Sequence, residues 1–274
     1  MMRTIPRILL ALIAGVLFAG ELQAQISVIG DLSRDREARP GETYEGTILL
    51  RNGSAEPAEA KIYQKDYLFF RDGKNIYGEP GSADRSNSGW ITYNPSRVVV
   101  PARSMLTVEY RVTVPLNSGT TQLNGSYWSM LMVEGISKGS PESSLGEPDK
   151  KTLGVTQVLR YGVQIATHIA GTGARAIEFL DTQLVREETG EQYLQVDIEN
   201  SGDLWMRPDV YVEVFDREGK SRGRHPGSSF RMYPGTSVRQ RIIMPELPSG
   251  EYKVLVVVDA GGDDAFGAQY TLRF

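Results

Sequence analysis

The sequence contains no cysteine. No disulfide can staple the fold, no thiolate can serve as nucleophile or metal ligand, and no lipid can be attached through a cysteine at a processing junction. Histidine is nearly absent too. His168 and His225 stand in unrelated contexts, with no acid at a telling spacing, and no Gly-x-Ser-x-Gly elbow or His-Glu-x-x-His metal motif occurs. Both histidines read as solvated side chains, and the chain is expected to be non-enzymatic, with no cofactor and no metal. Charge of one sign is also lacking: 30 Lys and Arg stand against 34 Asp and Glu, a formal net charge of -4. That balance offers nothing to nucleic acid and contains no acidic run of the kind that keeps a chain unfolded. Helical periodicity is almost missing after the first residues.

Only one long apolar run is present, and it stands at the start. Arg3 and Arg7 precede Ile8 to Ala19, and Leu22-Gln23-Ala24 supplies a cleavage signal before Gln25. A membrane anchor needs about 20 apolar residues; this run is shorter and Glu21 ends it. Residues 1–24 are therefore expected to be a signal peptide, leaving an exported or periplasmic chain with no transmembrane segment after cleavage. Without disulfides, the mature chain must hold itself together by burial.

What the remainder does contain is a two-residue period. Gly (29) and Pro (14) punctuate short apolar runs, as in an all-β chain rich in turns. Pro40-Gly41 precedes a strand over Thr43 to Arg51, and Asn52-Gly53 is a strong turn signal. Ala58 to Phe70 reads as a long strand, with a hairpin turn at Arg71-Asp72-Gly73-Lys74. Trp90 to Val100 is extended but broken at Asn94-Pro95. Met105 to Val114 puts Leu106, Val108, Tyr110, Val112 and Val114 on one face, and Trp128 to Glu134 follows. Gly135 to Gly154 is polar and aperiodic, a length uncommon in a loop unless it is disordered or functional. Next comes Val155 to Ile169, whose alternation of apolar and polar positions describes a long half-buried strand. Gly171-Thr172-Gly173 then opens a second unit.

The same order of signals occurs twice. Asn52-Gly53-Ser54, Pro101 to Ser104, Pro115 and Gly125-x-Tyr127 are matched by Asn200-Ser201-Gly202, Pro234 to Ser237, Pro245 and Gly250-x-Tyr252. Each half supplies about seven strands with regularly spaced turns, the pattern of an antiparallel sandwich. The fold class is therefore all-β: two tandem immunoglobulin-like antiparallel β-sandwiches, over residues 25–171 and 172–274. Tyr127 and Tyr252 suit either a corner tyrosine, whose hydroxyl caps nearby backbone, or an ordinary core tyrosine.

Other features have bland and sharp readings. Asp259 to Asp264 is better read as a hairpin than as a calcium loop, because its acids do not alternate and no distant glutamate follows. Trp90, Trp128 and Trp205, with Tyr67, Phe69 and Phe70, would form a carbohydrate platform if they shared an outer face; core placement is preferred. Arg217, Lys220, Arg222 and Arg224 read as a solvated hairpin diluted by Asp216 and Glu218.

A signal peptide, two cysteine-free sandwiches of unequal size and a long loop before the last strand of the first resemble the periplasmic fimbrial-assembly chaperones. The first domain, with Pro40-Gly41-Glu42-Thr43, Leu50-Arg51-Asn52-Gly53, Val100-Pro101-Ala102 and Gly125-Ser126-Tyr127-Trp128, is equally similar to a domain of bacterial surface proteins that bind peptidoglycan. The chaperone resemblance implies capture of a secreted or surface protein subunit by β-strand addition at the last strand of the first domain. It makes Leu159, Tyr161, Val163 and Ile165 the donated row, and Arg160 with Arg34 or Arg36 the basic pair that holds a terminal carboxylate between the domains. The second resemblance implies a cell-envelope scaffold or adhesion module that binds cell-wall polymer.

Overall fold

A computed structural model describes residues 26–117, 119, 121–146 and 158–274. The proposed signal peptide, residues 1–24, and the start of the expected long strand, residues 155–157, lie outside the described residues. The first domain contains β1 (Ile26–Ile29), β2 (Ser33–Ala38), β3 (Thr43–Asn52), β4 (Ala58–Phe69), β5 (Asn75–Gly78), β6 (Ile91–Asn94), β7 (Arg97–Val100), β8 (Met105–Thr113), β9 (Ser126–Ile136) and β10 (Arg160–Ile169). One sheet has the order β1-β3-β8-β6. The other runs β2-β10-β9-β4-β5, with β7 also paired to β4.

That is ten strands where about seven were expected. The surplus comes from strands that change sheets. The segment before Pro40 pairs first as β1 with β3, then as β2 with β10. The Asn94-Pro95 break likewise divides β6, on β8, from β7, on β4. The β2–β10 pairing is parallel, an exception within an otherwise antiparallel sandwich.

Between these sheets, Ile48, Leu50, Ile62, Val108, Val112, Leu131, Val133, Val163 and Ile165 form the core. The two-residue period is visible directly in β8, whose buried positions are Val108, Tyr110 and Val112. Asn52-Gly53 does not close a hairpin, because β3 and β4 belong to different sheets. Asn52 is instead a buried staple. Its Nδ2 donates to the carbonyls of Glu56 (2.7 Å), Val100 (3.0 Å) and Pro101 (3.1 Å), and its Oδ1 accepts from the Ser54 amide at 2.9 Å.

The second domain contains β11 (Ile177–Arg186), β12 (Gln192–Asn200), β13 (Asp209–Phe215), β14 (Ser221–Pro226), β15 (Ser237–Ile243), β16 (Glu251–Asp259) and β17 (Ala265–Arg273). Its sheets are β11-β12-β15 and β14-β13-β16-β17, closed over Leu194, Ile198, Val212, Ile242, Val254 and Val256. Asn200 repeats the role of Asn52: its Nδ2 donates to the Leu204 and Met232 carbonyls at 2.8 and 3.2 Å, while Oδ1 accepts from the Gly202 amide at 3.0 Å. The Gly-x-Tyr repeat has a matching basis. The Tyr252 hydroxyl donates to the Pro248 carbonyl at 3.0 Å, and the Tyr127 hydroxyl accepts from the Asn124 amide at 3.4 Å. Asp259 to Asp264 forms the β16–β17 turn, with Gly261 and Gly262 at positive φ and Asp264 paired to Arg175 at 2.7 Å.

Candidate functional site

β10 lies between both domains and has two faces with different partners. Its odd positions point into the first domain. Val163 and Ile165 are fully buried there, Tyr161 packs against the same core, and Thr167 meets the Tyr44 hydroxyl at 2.7 Å. Its even positions, read from sequence as a solvated face, turn toward the second domain at their C-terminal end. Gln164 Oε1 accepts from the Tyr233 hydroxyl at 3.1 Å, and Ala166 packs with Trp128 and Tyr233.

Placement of the expected donated row follows directly. Val163 and Ile165 supply the core of their own domain, so exposing both would cost about 3–6 kcal/mol, a large share of a typical domain's 5–15 kcal/mol stability. They are not available to a partner in this structure. Leu159 is: it stands 41% exposed, beside Val158 at the same value, where the chain enters β10.

The backbone of β10 is unevenly satisfied. From Gln164 to His168 it pairs with β9 on one side and β2 on the other. From Arg160 to Val163 only the β9 side has a partner among the described residues. The direction of each group follows from strand alternation. The Gln164 amide donates to the Leu32 carbonyl on the β2 side, whereas the Leu159 carbonyl accepts from Gly135 on the β9 side. Arg160 and Gly162 share the parity of Gln164, so their N–H and C=O groups point to the open edge. Leu32, 42% exposed, marks the corner where β2 stops covering it.

The expected basic residues are not brought together. Arg160 lies at the end of β10 remote from the domain joint and pairs with Glu134 at 2.8 Å. Arg34 and Arg36 are opposite Ile165 and Thr167 in the parallel register. Arg36 stands 6.0 Å from the centroid of Tyr44, a residue that packs on the first domain's core, and Tyr110 of that core has its pKa raised by burial, with the nearby Arg34 charge opposing the rise. Both therefore follow the core-facing parity of β10. The residue between them faces the other way.

That residue, Asp35, is the centre of the joint. Its two oxygens accept from Arg231 Nη1 and Nη2, both at 2.7 Å, and Oδ1 also lies 3.1 Å from His168 Nε2. Burial works to raise the Asp35 pKa, but the hydrogen bonds from His168 and Arg231 and the charge of Arg231 outweigh it and hold the carboxyl well below the usual range. His168 is not solvated, contrary to expectation. Its ring stacks on Trp205 with centroids 5.4 Å apart, and Nδ1 lies 2.9 Å from Ser126 Oγ, which accepts the Trp205 amide at the same distance. Arg231 also lies over Trp205, with Cζ 4.0 Å from its ring centroid. Trp128 and Tyr233 stack at 4.4 Å, and burial pushes the Tyr233 hydroxyl up to about 12. His225 also departs from expectation: it is partly buried, its Nε2 has no partner, and burial lowers its pKa.

The three tryptophans do not form a carbohydrate platform on one outer face. Trp128 is 3% exposed and Trp205 stacks with His168 at the joint, while Trp90 packs on Tyr127 at 4.8 Å inside the first domain. The basic cluster behaves as a hairpin, with Arg222 on Asp216 at 2.9 Å and Arg224 over Tyr211. Sequence reasoning missed Asp35, Trp205, Arg231 and Tyr233 as a group. No local spacing links them, since they meet only when the two domains are apposed.

The outer end of the β10 sheet holds a second polar arrangement. Glu134 accepts from the Tyr63 hydroxyl at 2.7 Å, faces Arg160, and lies 3.4 Å from Lys61. Nearby Glu59, fully buried, accepts from Ser143 Oγ at 2.7 Å, from the Ser144 amide at 2.8 Å and from the Ser144 hydroxyl. Burial raises its pKa, but these donors and Arg97 prevail and hold it at about 2.

Fold and site together define an all-β protein of two tandem immunoglobulin-like sandwiches joined by a built polar interface, with a strand edge open among the described residues at the other end of β10. No family model matches the sequence, and no curated protein matches it. Among solved structures, the chain is similar to the class 5 fimbriae chaperone CfaA, with 13% identity, TM-score 0.47, and coverage of 89% of this chain and 98% of that one. A chain of a chaperone–tip adhesin complex of CFA/I fimbriae biogenesis gives 12% identity and TM-score 0.48, with coverage of 90% and 98%. A chain from the Salmonella enterica complex of SafA pilin with the SafB chaperone gives 13% identity and TM-score 0.45, with coverage of 91% and 97%. At these values the likeness is one of chain course.

Proposed function

We propose that this chain is an exported, chaperone-like protein that captures a secreted or surface protein subunit by strand addition at the open edge of β10. The observation that carries this reading is the half-paired strand: among the described residues, Arg160 to Val163 has one strand neighbour where Gln164 to His168 has two. An incoming strand would continue the line of β2, taking up the N–H and C=O groups of Arg160 and Gly162. Backbone pairing supplies affinity. Leu159, with Val158 and Leu32 at the rim, supplies apolar contact, while Val163 and Ile165 stay in the core and hold the edge in place.

This reading differs from donation of the whole alternating row. The partner gains a ladder and a short apolar rim, and the first domain keeps its core. Arg34 and Arg36 lie along the half of β10 that β2 already covers, away from the open edge and from Arg160.

The test is capture of a co-expressed subunit by three variants. Arg160→Pro removes an amide aimed at the open edge, which a strand edge tolerates structurally. Arg160→Ala removes the same side chain and keeps that amide. Leu159→Glu places charge on the rim. Capture lost in Arg160→Pro and Leu159→Glu but kept in Arg160→Ala supports edge addition; capture kept in Arg160→Pro overturns it. Cell-wall polymer binding has no observation in its favour: Trp128 is buried, and Trp90 and Trp205 are engaged by Tyr127 and His168 within the protein.

A further inference from the structure

The β9–β10 connection does not run straight from one strand to the next. Its described part, residues 137–146, is held on the far side of β9, against β4 and β7. Glu59 accepts from Ser143 and Ser144, Lys61 pairs with Glu142 at 2.8 Å, Arg97 donates to the Glu142 carbonyl, and Lys138 lies 3.6 Å from Glu56. The open edge of β10 is at this same end of the sheet, since Arg160 is opposite Glu134 and Glu134 is opposite Lys61.

A row of alternating charges joins the two places. Arg160 Nε lies 2.8 Å from Glu134, Glu134 lies 3.4 Å from Lys61, and Lys61 lies 2.8 Å from Glu142. The ends are open to solvent, with the Arg160 and Glu142 side chains 62% and 61% exposed, while Glu134 at 11% is enclosed. An enclosed carboxylate that loses one cation draws the other closer, because leaving it under-compensated is costly. Lys61 is the only other cation paired with Glu134 among the described residues, and it is shared with the loop.

We propose that this row couples occupancy of the open edge to the docking of residues 137–146. A partner that takes Arg160 away from Glu134, by offering its own carboxylate or backbone carbonyls, shifts Lys61 from Glu142 to Glu134 and loosens the loop. Glu59 sets the docked state; the charge row biases it. The inference rests on the edge-addition reading for its purpose, but the coupling is a property of the free protein and is measured without a partner.

Hydrogen exchange of the Ser144 and Gly139 amides reads the docked state, since the first donates to Glu59 and the second to the Leu145 carbonyl. Arg160→Gln is expected to speed their exchange about two- to five-fold, the scale of an exposed ion pair. Arg160→Lys should restore the slower rate. In a Glu142→Gln background, where Lys61 has nothing to leave, Arg160→Gln should add nothing. Glu59→Gln, which weakens the dock itself, should speed exchange by at least about ten-fold. Unchanged rates in Arg160→Gln, an equal effect in the Glu142→Gln background, or no response to Glu59→Gln would each overturn the coupling. None of these outcomes bears on whether Arg160→Pro loses its partner, so failure of the coupling and failure of edge addition are told apart.

Discussion

Asp35 and Arg231, 196 residues apart, meet across the domain joint in a two-pronged ion pair with both N–O distances at 2.7 Å. Arg231 also covers Trp205, which stacks with the ring of His168 on β10. The strand that carries the open edge is thus the strand to which the second domain is fastened: the joint meets one half of β10, while the other half has β9 as its one strand neighbour among the described residues.

The pair sets the acid sensitivity of the joint. A carboxylate whose folded-state pKa is depressed contributes stability that is present above the unfolded value near 3.9 and is lost as pH falls through the lower folded value. The joint is therefore expected to persist at pH 4 and to give way only in stronger acid. Arg231→Gln removes the main opposing charge, so its loss of domain contact should begin at a higher pH, with a cost of about 1–3 kcal/mol at neutral pH. Near-UV circular dichroism of Trp128 and Trp205 at the joint, followed against pH in both proteins, checks this.

Asn52 and Asn200 are expected to be separately necessary to their own domains. Asn52→Ala leaves the Glu56, Val100 and Pro101 carbonyls short of a donor. A loss of about 2–4 kcal/mol is expected. Asn200→Ala should destabilise the second domain by a similar amount. Denaturant unfolding followed by domain-specific hydrogen exchange should show each loss confined to one sandwich.

The Tyr252 hydroxyl makes one hydrogen bond, to the Pro248 carbonyl, while its ring meets Phe274 edge-on at 5.4 Å. Tyr252→Phe keeps the ring and removes the bond, so the expected cost is about 1 kcal/mol. Tyr252→Ala should cost about 3–5 kcal/mol, as for loss of a buried aromatic ring. A smaller gap between the two midpoints would mean that the hydroxyl, and not the ring, dominates.

Much of this fold was legible because burial imposes a period. β8 and β10 alternate cleanly, and the Asn and Gly-x-Tyr repeats recur because each sandwich needs the same crossover staple and the same capped corner. β2 was not legible. Its residues Ser33 to Ala38 are nearly all polar, since one face meets the joint and the other the rim between the sheets. The alternation of β10 was legible, but not which side of it is spare: periodicity separates two faces without saying that the polar one is covered by another domain. The open edge itself is a matter of backbone pairing, and hydrogen-bonding partners 131 residues away, such as Ser33 and Gln164, leave no trace in local spacing.

The most direct test is hydrogen exchange at two backbone amides, Arg160 and Gly162, in the free protein and in complex with a co-purified subunit. Both amides should exchange freely in the isolated chain and become strongly protected in the complex, while Gln164, already bonded to Leu32, changes little. If Arg160 and Gly162 remain unprotected with the subunit bound, the partner is held elsewhere and strand addition at this edge is contradicted.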